Sequence, residues 1–121
     1  MGVHPYTDGS PTTDPHMGTD VAAMYNTMIA HGDGAKKVWG TEYGVPTGGP
    51  WSVAESTQAE YVDQAVDAWY AKAYTGPLFW YSARDTGTSP DDREQHFGLL
   101  RFDGSAKPAY ARLGARFSRL P

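Results

Sequence analysis

No cysteine occurs in the 121 residues, which excludes a disulfide framework and any thiolate-based metal site. No basic run occurs either. Ten Lys and Arg stand against fourteen Asp and Glu, a formal net charge of −4. A chain with nothing to neutralise successive phosphates is not expected to bind nucleic acid. No apolar run approaches the roughly 18 residues of a membrane span, so no membrane partner is expected. The first residues, MGVHPYTDGS, lack a basic n-region and an apolar h-region, so no signal peptide is expected there, and the compartment is left open. Neither G-x-G-x-x-G nor a P-loop pattern is present, so nucleotide binding has no local support.

What is present suits a packed globular core. Hydrophobic residues make up 40% and charged residues 20% of a length that fits one modest domain. Aromatics reach 13%, with four Trp and eight Tyr. Such a content serves a core, or a platform for flat apolar ligand faces such as those of sugars.

Along the chain, GVHPYT (2–7) reads as a short strand and DGSPTTDPHMG (8–18) as turn chemistry. Val21, Met24, Tyr25, Met28 and Ile29 fall on one helical face, capped by Thr19 or Asp20 and ended by Gly32. Residues 37–41 form a second strand, followed by the loop GVPTGGP (44–50). Ser52 and Glu55 make a capping-box pattern ahead of a long helix with Val62, Ala65, Val66, Trp69, Tyr70 and Ala73 on one face. Thr75-Gly76-Pro77 stops that helix, and LFWYS (78–82) is a third strand, apolar enough to be buried on both faces. A polar loop (83–95) leads to FGLLRF (97–102), extended or partly helical. Pro108 opens a last helix whose apolar positions are Tyr110, Leu113 and Phe117. Its Arg112, Arg116 and Arg119 favour the helix dipole.

The order is β-α-β-α-β-α, an α/β arrangement. Strands joined through helices run parallel. Repeating βα units of this length suit a (β/α)₈ barrel or a doubly wound sheet, and three units are too few to close a barrel of about 250 residues.

One carboxylate stands out. In VWGTEYG (38–44), Glu42 ends an apolar, aromatic strand, where a charge costs solvation free energy unless it is paired, hydrogen-bonded or used. In a barrel, functional side chains sit at the C-terminal ends of strands. His4 and Tyr6, Glu42, and Trp80 occupy those ends in three successive units. Tyr6 to Glu42 is 36 residues and Glu42 to Trp80 is 38.

HPYT, WGTEYG and LFWYS, in this order and spacing, resemble the last three strands of clan A glycoside hydrolases, closest to the cellulase-like family 5 and the xylosidase-like family 39. The tail FGLLRFDGSAKPAY resembles the ending of such domains. The resemblance covers essentially the whole chain and implies that residues 1–121 are strands six to eight of a TIM-barrel catalytic domain. It further implies a retaining O-glycoside hydrolase acting on β-linked carbohydrate without a cofactor, and secretion of the full-length relatives. Carried over residue by residue, Glu42 is the nucleophile, with Tyr6 and His4 beside it and Trp80 lining the sugar subsite. Tyr6 is placed to donate to the Glu42 carboxylate, and His4 to orient Tyr6 or meet a sugar hydroxyl. Trp51, in the loop after Glu42, is a candidate sugar-stacking residue.

The sequence departs from that family at one essential place. The general acid/base there is the Glu of an Asn-Glu pair, and this chain has no such pair. Asp8, Asp85 and Glu94 are weak substitutes. The chain alone is expected to be inactive, and its open sheet to self-associate or to pair with a missing barrel half. Two alternatives remain at this point: a small non-catalytic module that binds carbohydrate or a partner, and an inactive remnant. His4, Asp8, Asp14 and His16 match no metal motif, and the acidic loop 85–92 has no EF-hand pattern. Arg84-Asp85 reads as a loop ion pair or a substrate-facing pair, Trp39 as core, and Glu55, Glu60, Asp63 and Asp67 as the solvated face of the long helix.

Overall fold

Parallel pairing organises the strands, which lie side by side in sequence order. The computed structural model describes residues Met1–Ser118. Strand β1 is Gly2–Val3, β2 is Val38–Tyr43 and β3 is Thr75–Trp80, with helices α1 (Val21–Ala30), α2 (Glu55–Tyr70) and α3 (Pro108–Phe117) following in alternation. Gly2 pairs with Trp39 and Val3 with Gly40. Val38, Gly40 and Tyr43 pair with Thr75, Leu78 and Trp80, with register shifts between them. The chain divides into two units: Met1–Tyr43 with Gln64–Trp80, and Gly44–Asp63 with the described residues from Tyr81 onward.

In the first unit, β1 is shorter than the run GVHPYT suggests. Pro5 has no N–H to offer a ladder, and the Tyr6 N–H turns back to the His4 carbonyl at 2.9 Å, a tight three-residue turn. A wide turn, His16–Asp20, then leads into α1, with the Asp20 N–H bonded to the Pro15 carbonyl at 3.0 Å. Asp20 is therefore already helical and no side chain caps α1, contrary to the expected Thr19 or Asp20 cap. Val21 and Met28 are buried, whereas Ile29 is exposed. Gly32, at φ +82°, ends the helix as expected. Its N–H reaches Ile29 and the Asp33 N–H reaches Met28, the paired bonds of a Schellman stop.

The sheet has two unlike faces. Gly40 lies against Trp69 and Leu78, and a Cβ there would stand 2.3 Å from the Leu78 side chain. The absent side chain makes room for the buried Trp69 ring, whose indole N–H donates to the Gly76 carbonyl at 2.8 Å. Alternation turns Trp39 to the opposite face, where it is 46% exposed, not core. Phe79, 50% exposed, stands beside it with ring centroids 6.4 Å apart. So β3 is not buried on both faces. It also begins at Thr75, taking in residues expected to stop the helix. Pro77 is tolerated because β3 is an edge strand, and the register shifts beside it.

In the second unit, α2 begins at Glu55, three residues after Ser52, so the capping-box reading misplaced the helix start. Glu55 instead receives a two-point bond from Arg101, at 2.8 and 2.6 Å. Asp63 receives Arg112 at 2.6 Å. These two carboxylates are not merely solvated, and Arg112 answers an acid rather than only the dipole. Gln58, Ala59 and Val62 are buried, while Tyr70 at the far end of α2 is exposed. Residues 97–102 form neither a strand nor a helix: Phe97 has helical backbone angles, Leu100 is bridged to Arg84 and Ala106, and Phe102 lies in a turn. Pro108 opens α3 as expected, but Ala109 and Leu113 carry its buried side, while Tyr110 and Phe117 face solvent. Arg119 lies outside the described residues. Among the described residues no helix is long and apolar enough to cross a membrane.

Candidate active site

Glu42 is the penultimate residue of β2, inside the strand rather than just past it. Its side chain is 38% exposed, so the charge keeps part of its hydration. The Tyr6 hydroxyl donates to Glu42 Oε2 at 3.1 Å. His4 Nδ1 stands 3.5 Å from the same oxygen, with the His4 and Tyr6 rings edge to face at 6.5 Å. The turn at Pro5 places both side chains on one carboxylate oxygen. Oε1 is left with neither contact, which is the arrangement of a carboxylate fixed through one oxygen and open at the other.

Trp80 ends β3 opposite Tyr43, the residue after Glu42. Its ring meets Tyr43 edge-on at 5.5 Å, and its buried indole N–H has no hydrogen-bond partner among the described residues. In the second unit, Trp51 is 86% exposed and has a positive φ of 56°. The Tyr81–Ser82 peptide is cis.

The sequence cluster of His4, Asp8, Asp14 and His16 divides. His4 turns to Glu42. Asp14, whose side chain is largely covered, accepts from the His16 ring and amide at 2.9 Å each and from the Asp8 amide at 2.8 Å. Burial pushes the Asp14 carboxyl upward, but those hydrogen bonds outweigh it and hold the group below its ordinary value. The Asp14 hydrogen bond in turn raises His16. Among the described residues no group of three His, Asp or Glu side chains is gathered as a metal site would need.

The loop acids correct the sequence reading most. Arg84 and Asp85 do not pair with each other. Arg84 donates to the Phe102 carbonyl at 3.1 and 2.5 Å. Asp85 is 7% exposed and pairs with Lys107, itself 2% exposed, at 2.8 Å. Lys107 Nζ also donates to Thr47 Oγ1 at 2.8 Å and to the His96 carbonyl at 3.2 Å. Its three donors are thus used, and the Gly98 N–H donates to the same Asp85 oxygen at 2.7 Å. Sequence reasoning passed over Lys107, although one signal was there. Lysine occupies the cap position before Pro108, where Ser, Thr, Asp or Asn is usual and a cation opposes the dipole.

No family model matches the chain, and no curated protein does. Solved structures do. A family 39 glycoside hydrolase from Bacteroides cellulosilyticus superposes with TM-score 0.79 at 24% identity, over 93% of this chain and 26% of that one. The chain has the fold of a partial (β/α)₈ barrel. A GH5_18 protein from Bifidobacterium longum, solved with Manβ1-4GlcNAc, gives 0.69 at 20% identity, over 99% of this chain and 31% of that one. A β-glucuronidase from Ruminococcus gnavus gives 0.71 at 16% identity, over 99% and 22%. The partial barrel therefore spans about a quarter of the length of the glycoside hydrolases it superposes on.

Proposed function

We propose that this partial barrel carries the nucleophile half of a retaining O-glycoside hydrolase site. It acts on β-linked carbohydrate only when the rest of a barrel completes it. In this reading residues 1–121 supply strands six to eight of the catalytic domain, of the family 5 or family 39 kind. The observation that carries it is the convergence of Tyr6 and His4 on one oxygen of a strand-end glutamate, at 3.1 and 3.5 Å. Its fold neighbours are glycoside hydrolases, and two of the three above have β-linked sugars in their names.

Glu42 Oε1 attacks the anomeric carbon as the bond to the leaving oxygen breaks, giving a glycosyl ester that water then hydrolyses. Tyr6 and His4 hold Oε2, so the carboxylate does not rotate away from the attack line. Trp80 offers an apolar ring face to the C–H side of a pyranose; Trp51, exposed in the second unit, is by itself a sugar-stacking candidate. No step calls for a cofactor.

The leaving oxygen needs a proton, delivered in such enzymes by a second carboxyl about 5–5.5 Å from the first. Asp85 is ill suited, being buried and ion-paired with Lys107. Losing general acid catalysis costs roughly 10²–10⁴ in rate, and the isolated chain is therefore inactive in this reading. The exposed Trp39 and Phe79 face is where the remaining strands of a barrel, or a second copy, would pack.

The test is complementation. The purified chain is expected to leave an aryl β-glycoside uncleaved. Co-expression with a barrel half bearing an Asn-Glu strand end is expected to restore turnover, which Glu42→Gln abolishes. Robust turnover by the chain alone, lost in Glu42→Gln, overturns the need for completion. Turnover by the completed barrel that survives Glu42→Gln overturns the nucleophile assignment.

A further inference from the structure

We infer that Lys107 is a positioning residue for Trp51: its buried ammonium fixes the loop after β2 so that the indole is presented to solvent in one orientation. The inference starts from the backbone of Trp51. A bulky residue at φ +56° with 86% of its surface exposed has no packing of its own to hold it. Side chains adopt that left-handed region only where the surroundings impose it.

The surroundings are visible. The Val53 N–H closes the loop on the Pro46 carbonyl at 2.9 Å, and the Thr47 N–H reaches the His96 carbonyl at 3.1 Å. Gly48 lies against the His96 ring, where a Cβ would come within 2.7 Å. Gly49, at φ +78°, lies against the Arg93 backbone, where a Cβ would come within 2.4 Å. The Trp51 loop is thus seated on the turn Arg93–His96. Lys107 fastens both sides of that seam, Thr47 Oγ1 on the loop and the His96 carbonyl on the turn. Asp85 holds the ammonium in place from a third segment.

Packing alone does not explain a lysine here. Apolar replacements of buried ion pairs are often as stable or more so, and a cation at the start of α3 opposes the helix dipole. What the ammonium supplies is direction: three donors aimed at three separate segments. That the platform takes a sugar rests on the function proposed above. That Lys107 sets its geometry does not, and it can be read without ligand.

The full chain labelled with 5-fluorotryptophan gives one ¹⁹F resonance for each of its four tryptophans, assigned by single Trp→Phe changes. Lys107→Met alone strands a buried carboxylate, so two gentler variants decide. Thr47→Val removes the Lys107 contact together with the Thr47 hydroxyl's own bond to the His96 carbonyl at 3.3 Å. Lys107→Met with Asp85→Asn removes both charges and leaves that hydroxyl bond in place. Both are expected to shift and broaden the Trp51 resonance while Trp39, Trp69 and Trp80 keep theirs. A Trp51 resonance of unchanged position and width in the Lys107→Met, Asp85→Asn variant, whatever Thr47→Val does, or equal changes at all four tryptophans, overturns the inference. In the wild-type chain, a β-linked gluco-oligosaccharide is expected to move the Trp51 resonance. If it does not while the variants behave as expected, the sugar reading fails and the positioning stands.

Discussion

Glu42 lies near the end of β2 and Asp85 in the loop after β3; the sequence favours the first and offers the second only as a weak substitute, and the fold gives them opposite fates. Asp85 is buried, ion-paired and hydrogen-bonded through one oxygen to Lys107 and the Gly98 amide. Glu42 is over a third exposed and is approached by a phenol and an imidazole, with no Lys or Arg ion pair among the described residues. A buried charge must be satisfied to be tolerated at all. A charge meant to react must also be reachable, and exposure is what separates Glu42 from Asp85. The difference lies in the partners that distant parts of the chain bring.

Substitutions at these residues put the contrast to the test. The largest effect on stability is expected from Lys107→Met, which leaves Asp85 buried without its cation. Breaking one side of a buried pair costs about 3–5 kcal/mol, read from urea unfolding. Adding Asp85→Asn is expected to recover most of that loss, because the amide oxygen still accepts the Gly98 N–H. Were the double variant as unstable as the single one, the cost would lie in packing and not in the stranded charge.

Tyr6→Phe removes one hydrogen bond from a partly exposed carboxylate. We expect a stability loss of about 1 kcal/mol or less. In a completed barrel we expect lower kcat with little change in KM, as for an interaction made in the transition state. Glu42→Gln should be smaller still, within about 0.5 kcal/mol of wild type in thermal unfolding, while abolishing turnover in the completed barrel. A large stability loss in Glu42→Gln would make this glutamate structural, like Asp85.

The smallest effect concerns Asp14 and His16. His16 titrates above its ordinary value, so its contribution is full below 6.5 and fades as pH rises through the raised value. Asp14 titrates below its ordinary value, so its contribution is full above 3.8 and fades as pH falls through the lowered value. The pair therefore supports the fold best between those two pH values. An NMR titration should show the His16 midpoint falling back toward the ordinary imidazole value in Asp14→Asn. An unmoved midpoint would deny the pairing.

The alternation of strands and helices was legible because hydrophobic periodicity and Gly/Pro punctuation are local. So were the Gly32 stop, the Pro108 start and the position of Glu42 near a strand end. What failed was long-range. Nothing within LFWYS says whether its second face is covered, so Phe79 was taken as buried. The same holds for Trp39. The apolar stripe of α3 was read from Tyr110, Leu113 and Phe117; Leu113 is buried, but its companion is the smaller Ala109, while Tyr110 and Phe117 are exposed. Ser52 and Glu55 had the spacing of a cap, but Arg101, 46 residues away, claims the Glu55 carboxylate. Asp85 and Lys107 are 22 residues apart, and only the fold makes them partners.

The half-exposed indole of Trp39 has an optical consequence. Beside Phe79 on the open face of the sheet, it fluoresces as a ring in contact with water. Any polypeptide that covers that face would move its emission to shorter wavelength. In a chain whose exposed Trp51 is replaced by Phe, Trp39 becomes an internal gauge of barrel completion, readable in a cuvette before any substrate is known.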